Sequence, residues 1–366
     1  MSDADRRFMT LALSLASRGL GNVWPNPAVG CVIVRDGQIV GRGWTQPGGR
    51  PHAERRALDQ AGAAARGATA YVTLEPCAHF GHTPPCASGL IEAGVTRVVS
   101  SFEDPDPRVA GQGHAMLRAA GIRVDIGMMQ AEARALQAGF LNRITQGRPW
   151  VALKLATSFD GRIALANGES QWITSAAARI RVHALRARYD AVLVGGGTAR
   201  ADDPLLTVRY FQPLVQPVRV VASARLDLPR AEMAASAART PLWLLHGEQA
   251  PAQARDWWRD AGAELIQVPS GSDGIDVAAA MQALGARGLT RVFCEGGGVF
   301  GAALMRAGVV DELIGFTAGA VLGGDARAAF GPLGLEHLAQ APRYDLHSVE
   351  VIGGDVLHRW RRQIQA

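Results

Sequence analysis

Along most of the chain, short apolar runs of strand length alternate with stretches whose apolar residues recur at helical spacing. A chain written this way folds as layered α/β rather than as a helical bundle or a β-sandwich. The first series opens with a helix in which Phe8, Leu11, Ala12, Leu15 and Ala16 share one face while Thr10, Ser14, Ser17 and Arg18 take the other. A strand pair follows over 28–35 and 38–44 about the turn dipeptide Asp36-Gly37. Then come helix 53–65, strand 70–74, helix 85–93, strand 97–101, helix 113–120, strand 122–126 and helix 131–144. The turn-rich Gln146-Gly147-Arg148-Pro149 ends the series. A second series runs through strand 150–156, helix 176–188 and strands 191–195, 218–222 and 242–246. It continues with helix 252–261, strand 265–268, helix 277–284, strand 290–294, helix 298–307 and strand 312–317, and closes with a hairpin, 346–352 and 356–360. Two domains follow, residues 1–146 as a three-layer α/β/α unit and residues 147–366 as a second α/β sheet with an antiparallel end; 366 residues are in any case more than one usual domain.

Composition narrows the class. Charged residues at 19% and a mean hydropathy of +0.04 exclude a disordered or coiled-coil chain, and no window approaches the ~18 apolar residues of a membrane span. Four cysteines cannot scaffold a chain this long and suit a reducing compartment. Arg6 and Arg7 ahead of an apolar stretch imitate a secretory leader, but the two-faced helix that follows is foreign to one, so the expected location is the cytoplasm. The net charge of +5 is scattered, and of 38 basic residues only Lys154 is lysine. No basic run or aromatic stripe marks a nucleic-acid surface, whereas a few placed arginines would serve a small phosphorylated ligand.

Chemistry concentrates in two places. In the first half, His52-Ala53-Glu54 opens a helix, Glu75-Pro76-Cys77 follows a strand, and Cys86 enters the next helix behind Pro84-Pro85. One histidine and two cysteines near helix N-termini suit zinc and leave its fourth tetrahedral position open for water, whose pKa the metal lowers to about 7. Glu54 can then move protons without ligating. H-x-E followed by P-C-x-x-C is the signature of zinc nucleobase deaminases, although here eight residues separate the cysteines. Two competing readings are buried, metal-free side chains and a closed structural site with His79 or His82 as fourth ligand. The second would leave Glu54 without a purpose. In the second half, Gly296-Gly297-Gly298-Val299-Phe300-Gly301 follows a strand and opens a helix, and so could lay a diphosphate on the helix N-terminus. The ribose-binding acid of a Rossmann unit is missing, because Asp311 comes too early. A Walker loop is excluded, since the only lysine follows Leu153. Gly195-Gly196-Gly197-Thr198 is either a second cradle or a tight turn needing positive φ. Cys31 and Cys294 read as core.

The string Glu75-Pro-Cys-Ala-His-Phe-Gly-His-Thr-Pro-Pro-Cys86, with Pro25-Asn-Pro-Ala-Val-Gly30 before it and Asp106-Pro-Arg-Val-Ala-Gly-Gln-Gly113 after it, closely resembles the bifunctional riboflavin-biosynthesis deaminase-reductases. Residues 148–164 and 168–174 resemble the reductase half of the same family, so the resemblance spans nearly the whole chain. It implies a cytidine-deaminase-like fold followed by a dihydrofolate-reductase-like α/β fold. It also implies zinc on His52, Cys77 and Cys86, with Glu54 as proton relay. Asn26 then holds the pyrimidine edge, and His82 meets the substrate where the family usually has Lys or Arg. In the reductase half, the resemblance makes Ala156, Trp172, Thr198 and Asp202 contacts to NADPH, and the phosphate cradle read from the glycine motif adds Gly297, Gly298, Val299, Phe300 and Gly301 to the cofactor site. Ser170, Arg186, Leu206, Arg209 and Glu295 become contacts to the substrate, and Lys154 becomes the residue that assists the hydride step. Ser223 stands where many members have Asp.

The expected reaction is hydrolytic deamination of 2,5-diamino-6-(5-phosphoribosylamino)pyrimidin-4-one, then NADPH-dependent reduction of its ribosyl group to ribityl. The expected assembly is a homo-oligomer, dimer or tetramer, with no nucleic acid or membrane partner. A nucleic-acid base deaminase fused to an unrelated domain is the alternative enzyme. A zinc-stabilised binding module is the alternative of another class, in which Glu54 would be silent.

Overall fold

The computed structural model describes residues 2–78, 84–107, 110–272 and 274–363. The chain forms two compact units, Met1–Gly147 and Arg148–Ala366. In the first, the elements are α1 (Asp3–Ala16), β1 (Gly30–Arg35), β2 (Gln38–Trp44), α2 (Ala53–Ala61), β3 (Thr69–Val72), α3 (Cys86–Glu92), β4 (Arg97–Ser100), α4 (Gln112–Ala119), β5 (Arg123–Ile126), α5 (Gln130–Leu136) and α6 (Ala138–Gln146). Its five-stranded sheet has the order β2-β1-β3-β4-β5. β1 runs antiparallel to both neighbours, while β3, β4 and β5 are parallel. Asp36 and Gly37 both take positive φ, 51° and 77°, as the right-handed twist of a two-residue hairpin requires.

Helices cover both faces of this sheet, and missing side chains set how closely they approach. A Cβ on Gly30 would lie 1.9 Å from the Ala12 carbonyl of α1. On the opposite face, Cβ atoms on Gly41 and Gly43 would lie 2.2 Å and 2.4 Å from the Ala57 and Ala53 carbonyls of α2. The glycines of β2 thus fix the start of α2, which carries His52 and Glu54. Between the layers sits a core that includes Met9, Ile33, Leu74, Leu90 and Leu117.

The second unit comprises β6 (Trp150–Thr157), β7 (Arg162–Ala164), α7 (Ala176–Arg186), β8 (Ala191–Gly195), α8 (Gly196–Asp202), β9 (Val218–Ala222), α9 (Glu232–Ala235), β10 (Leu242–His246), α10 (Ala252–Asp260) and β11 (Glu264–Gln267). It continues with β12 (Ser270–Gly271), β13 (Gly274–Ile275), α11 (Val277–Ala286), β14 (Arg291–Cys294), α12 (Gly298–Arg306), β15 (Glu312–Thr317), β16 (Arg327–Ala328), β17 (Tyr344–Ile352) and β18 (Asp355–Arg362). The main sheet has nine strands in the order β11-β10-β9-β8-β14-β6-β15-β18-β17. It is parallel from β11 to β15, and the closing hairpin adds the antiparallel end.

Several elements differ from the sequence reading. The single helix expected over 131–144 is two, α5 and α6, parted at Gln137. The buried Gln137 amide pairs with both backbone groups of Ala28, donating to the carbonyl at 2.6 Å and accepting from the N–H at 3.2 Å. The short helix α8 grows directly from the glycine run after β8, where low helical propensity hid it. Gly147 at φ 71° caps α6 with its N–H on the Arg143 carbonyl, so the first unit runs through it.

Asp311, too early for a ribose contact, has a structural task. It takes a forked pair of bonds from Arg148 at 2.7 and 2.8 Å and a third from the Val151 N–H at 2.8 Å, tying the entrances of β6 and β15 together. Both side chains are nearly buried, so removing the carboxylate strands a guanidinium. Asp311→Ala is expected to destabilise the second unit by about 3 kcal/mol in urea unfolding of the full chain; a shift under about 0.5 kcal/mol would show the pair to be ornamental.

Candidate active sites

His52 is the N-cap residue of α2, and Glu54 lies buried in its first turn. Cys77 leaves the loop after β3, and Cys86 is the first residue of α3. The sheet brings these ends together: His52 Nδ1, Cys77 Sγ and Cys86 Sγ all lie within 4.8 Å of one another. His52 Nδ1 is 3.3 Å from Cys86 Sγ and 3.7 Å from Cys77 Sγ. Tetrahedral zinc with ordinary Zn–N and Zn–S bonds separates such ligand atoms by about 3.6 Å, so the donor set fits zinc.

Electrostatics agree. Hydrogen bonds from the Cys86 thiol, from His52 and from the Cys86 N–H, the last at 3.3 Å, hold the Cys77 thiol well below its usual pKa. Its bond to Cys77, together with burial and the Glu54 charge, pushes Cys86 the other way. The pair therefore shares a proton that a divalent cation would displace. Burial pushes the Glu54 carboxyl up to about 7, against the pull of His52, which is where a group that both takes and gives protons works near neutrality.

Glu75 is a residue whose task the motif alone does not disclose. Its carboxylate is buried and accepts four backbone N–H bonds of 2.8–3.1 Å, from Asp104, Gly111, Gly113 and His114. Two residues before Cys77, it lashes the ligand loop to the segment after β4 and to the start of α4. Ligand atoms of Glu75, Glu103 and His114 also gather within 4.8 Å of one another, and the four N–H bonds already engage both Glu75 oxygens. An acid that closes an apolar strand beside a metal ligand was the available signal. Asn26 is half-buried against Gly49, where any Cβ would strike its Nδ2 at 1.7 Å, three residues before His52. His79 and His82 lie outside the described residues.

In the second unit, Lys154 is half-buried on β6, and register puts Leu153 beside Cys294 of β14, hence Lys154 next to Glu295. Glu295 is bound by Arg186 of α7 through Nε at 2.5 Å and Nη2 at 3.1 Å. Burial pushes the Glu295 carboxyl up, but Arg186 and Lys154 carry it below its ordinary value. Burial, helped by Arg186, lowers the Lys154 ammonium against the attraction of Glu295. Arg186 also donates to the Thr207 carbonyl at 2.8 Å, and the Arg209 N–H donates to His183 Nδ1 at 3.1 Å. Burial and two arginines hold His183 down near 4, so it accepts this bond as a neutral ring. Two residues one helical turn apart thus pin the loop carrying Leu206 and Arg209. Leu206 has a buried side chain and φ 54°, so its backbone is the part that a ligand could meet, while Arg209 and Ser170 are exposed.

The two glycine runs meet. The Gly297 N–H donates to Thr198 Oγ1 at 3.1 Å, joining the ends of β8 and β14. None of Gly195, Gly196 and Gly197 has positive φ, so the tight-turn reading is corrected: a Cβ on Gly195 would lie 2.9 Å from Phe300, and close approach is what requires glycine there. The N-terminus of α12 has no side-chain cap, leaving its N–H groups to face an anion, and Val299 is exposed there. This cradle fits a diphosphate. Ala156 lies near the end of β6, Asp202 closes α8, and Trp172 stands exposed with the Arg179 guanidinium over its ring at 4.2 Å. Cys31 and Cys294 are fully buried.

Residues 2–102 match the cytidine and deoxycytidylate deaminase zinc-binding region, and residues 149–358 match the RibD C-terminal domain. The chain is therefore a zinc-dependent deaminase joined to a reductase, with the two α/β folds expected of them. It is 44% identical to the riboflavin biosynthesis protein RibD of Escherichia coli K12, over 96% of this chain and 98% of that protein. To the corresponding protein of Haemophilus influenzae it is 42% identical, over 97% and 96%. A solved structure of Acinetobacter baumannii RibD, form 1, matches with a TM-score of 0.89 at 39% identity, covering 99% of both chains. The chain belongs to the RibD family, bifunctional deaminase/reductases of riboflavin biosynthesis that use zinc in the first domain and NADPH in the second. No helix among the described residues is long and apolar enough to cross a membrane.

X-ray absorption of the purified zinc protein is expected to show one nitrogen and two sulfur ligands plus one exchangeable oxygen. Four protein ligands without exchangeable oxygen would return the site to the structural class.

Proposed function

We propose that the first unit deaminates a diaminopyrimidinone ribosyl phosphate and that the second reduces the ribose of the product to a ribityl chain. A Thermotoga maritima protein described as a diaminohydroxyphosphoribosylaminopyrimidine deaminase/5-amino-6-(5-phosphoribosylamino)uracil reductase matches this chain at 34% identity and a TM-score of 0.86, covering 99% of each, and supports that substrate class. The observation that carries the reading is the buried Glu54 carboxyl beside a three-ligand donor set. His52, Cys77 and Cys86 would hold zinc, which supplies a Lewis acid able to make water nucleophilic near neutral pH. Glu54 takes the proton from that water and returns it to the leaving amine as ammonia departs. Asn26 holds the pyrimidine edge, and His82, between the two cysteines in sequence, meets the substrate.

In the reductase, NADPH supplies the hydride to C1 of the ribose. Thr198 and the loop Gly297, Gly298, Val299, Phe300 and Gly301 orient its diphosphate, and Ala156, Trp172 and Asp202 complete its contacts. Lys154 donates to the ribose oxygen that gains electron density as the ring opens, and Glu295 and Arg186 hold that ammonium in place. Ser170, Leu206, Arg209, Arg186 and Glu295 bind the sugar phosphate. The protein works in the cytoplasm as a homo-oligomer and takes no nucleic-acid partner.

The two activities are expected to fail separately. Glu54→Ala should abolish ammonia release yet leave NADPH oxidation intact when the deaminated intermediate is supplied. Lys154→Arg should do the reverse, lowering reductase turnover by about 10²-fold, because the larger planar cation cannot reproduce a compact, positioned donor. Loss of both activities in either folded variant would refute the assignment.

A further inference from the structure

The string Asp106–Gly113 carries part of the family resemblance yet holds none of the groups assigned so far to either reaction. Its far end opens α4. Gly111 stands at the N-cap of that helix with φ 77°, a conformation that side chains rarely adopt, and aims its N–H at Glu75 Oε2 from 2.9 Å. The Asp104 N–H reaches the same oxygen at 3.1 Å. Gly113 and His114 send theirs to Oε1, at 2.8 and 3.1 Å. A Cβ on Gly113 would lie 1.9 Å from the Pro76 carbonyl oxygen, so only glycine lets the helix start come this close to the residue before Cys77. The helix dipole favours a carboxylate in that place, and each Glu75 oxygen is engaged by two N–H groups.

Cys77 is gripped from the other side as well. Its carbonyl accepts from the Ala87 N–H at 3.2 Å and its Sγ from the Cys86 N–H at 3.3 Å, both at the start of α3. The ligand loop is thus held between two helix starts. A thiolate fixed in this way loses little freedom when a metal binds it.

We propose that Gly111, Gly113 and Glu75 form a clamp that positions Cys77 for zinc, so that metal affinity and the order of segment 110–114 are coupled. This deepens the reading of the first unit and rests on Cys77 as a zinc ligand. Coupling runs both ways: metal held on Cys77 steadies the amide bonds to Glu75, and those bonds steady the thiolate. Glu75→Gln keeps the size of the side chain but must turn an NH2 toward one of the two N–H pairs, so two bonds are lost whichever way it faces. Gly113→Ala strikes the same loop from the helix side, at Pro76.

The test uses the full-length protein. The zinc Kd is measured by competition with a chromophoric chelator, and Co2+ loaded in place of zinc reports thiolate geometry through its absorption bands. Glu75→Gln and Gly113→Ala are each expected to raise the zinc Kd about 10–100-fold, the usual effect of removing a group that orients a metal ligand, and to shift the thiolate-to-cobalt band. Ser100→Ala controls for loss of stability alone: Ser100 Oγ is buried 2.8 Å from His114 Nε2, one step further from Cys77, and its removal should leave the zinc Kd unchanged. In the wild-type protein, hydrogen exchange at the Gly111, Gly113 and His114 amides should quicken when zinc is withdrawn while the amides of α1 hold, and this measurement decides alone if a variant fails to fold. A zinc Kd unmoved in both variants, a Ser100→Ala effect as large as theirs, or amide exchange indifferent to zinc would overturn the proposal. Cys77→Ser separates the clamp from the underlying reading. If it weakens zinc binding while Glu75→Gln and Gly113→Ala do not, Cys77 is a ligand and the clamp falls. If it leaves zinc binding intact, Cys77 is no ligand and both are lost.

Discussion

Parallel strand pairing is the constraint on which both sites depend. A parallel pair cannot be closed by a tight turn, so each crossover returns the chain to the same starting edge and all the carboxyl ends gather at the other. In the first unit this places the loops after β3 and β4 side by side, where Glu75 binds one to the other. In the second it aligns the ends of β6, β14, β8 and β9, from Lys154 through Glu295 and the glycine runs to Ser223.

Each site adds a buried carboxylate that organises its surroundings. Glu75 accepts only backbone N–H groups and so fixes the path of the chain at Cys77. Glu295 is matched by a forked guanidinium and a neighbouring ammonium, an arrangement in which removing one charge would strand the others. That mutual dependence gives a physical reason for a cation at Lys154, the one lysine of the chain.

Much of this was legible in the sequence, for reasons that differ by residue. Strand β15 was read at its true limits because Glu312–Thr317 is a short apolar run between clear breaks. The zinc donors were legible because ligand type, spacing and helix context agree within a local string. Gln137 hid its break in the helix, since a glutamine suits a helix and only its distant partner Ala28 reveals what it does. His183 holding Arg209, Asp311 holding Arg148 and Asp227 holding Arg200 were invisible for the same reason: each contact depends on tertiary approach.

One chain carries two sites with separate chemical requirements, and metal removal sets them apart. Zinc should be withdrawn stepwise with a chelator, and ammonia release and NADPH oxidation on supplied intermediate followed against residual metal. Ammonia release is expected to fall in proportion to zinc content while NADPH oxidation stays at its starting rate. NADPH oxidation declining in step with zinc, in protein that remains folded by circular dichroism, would contradict it.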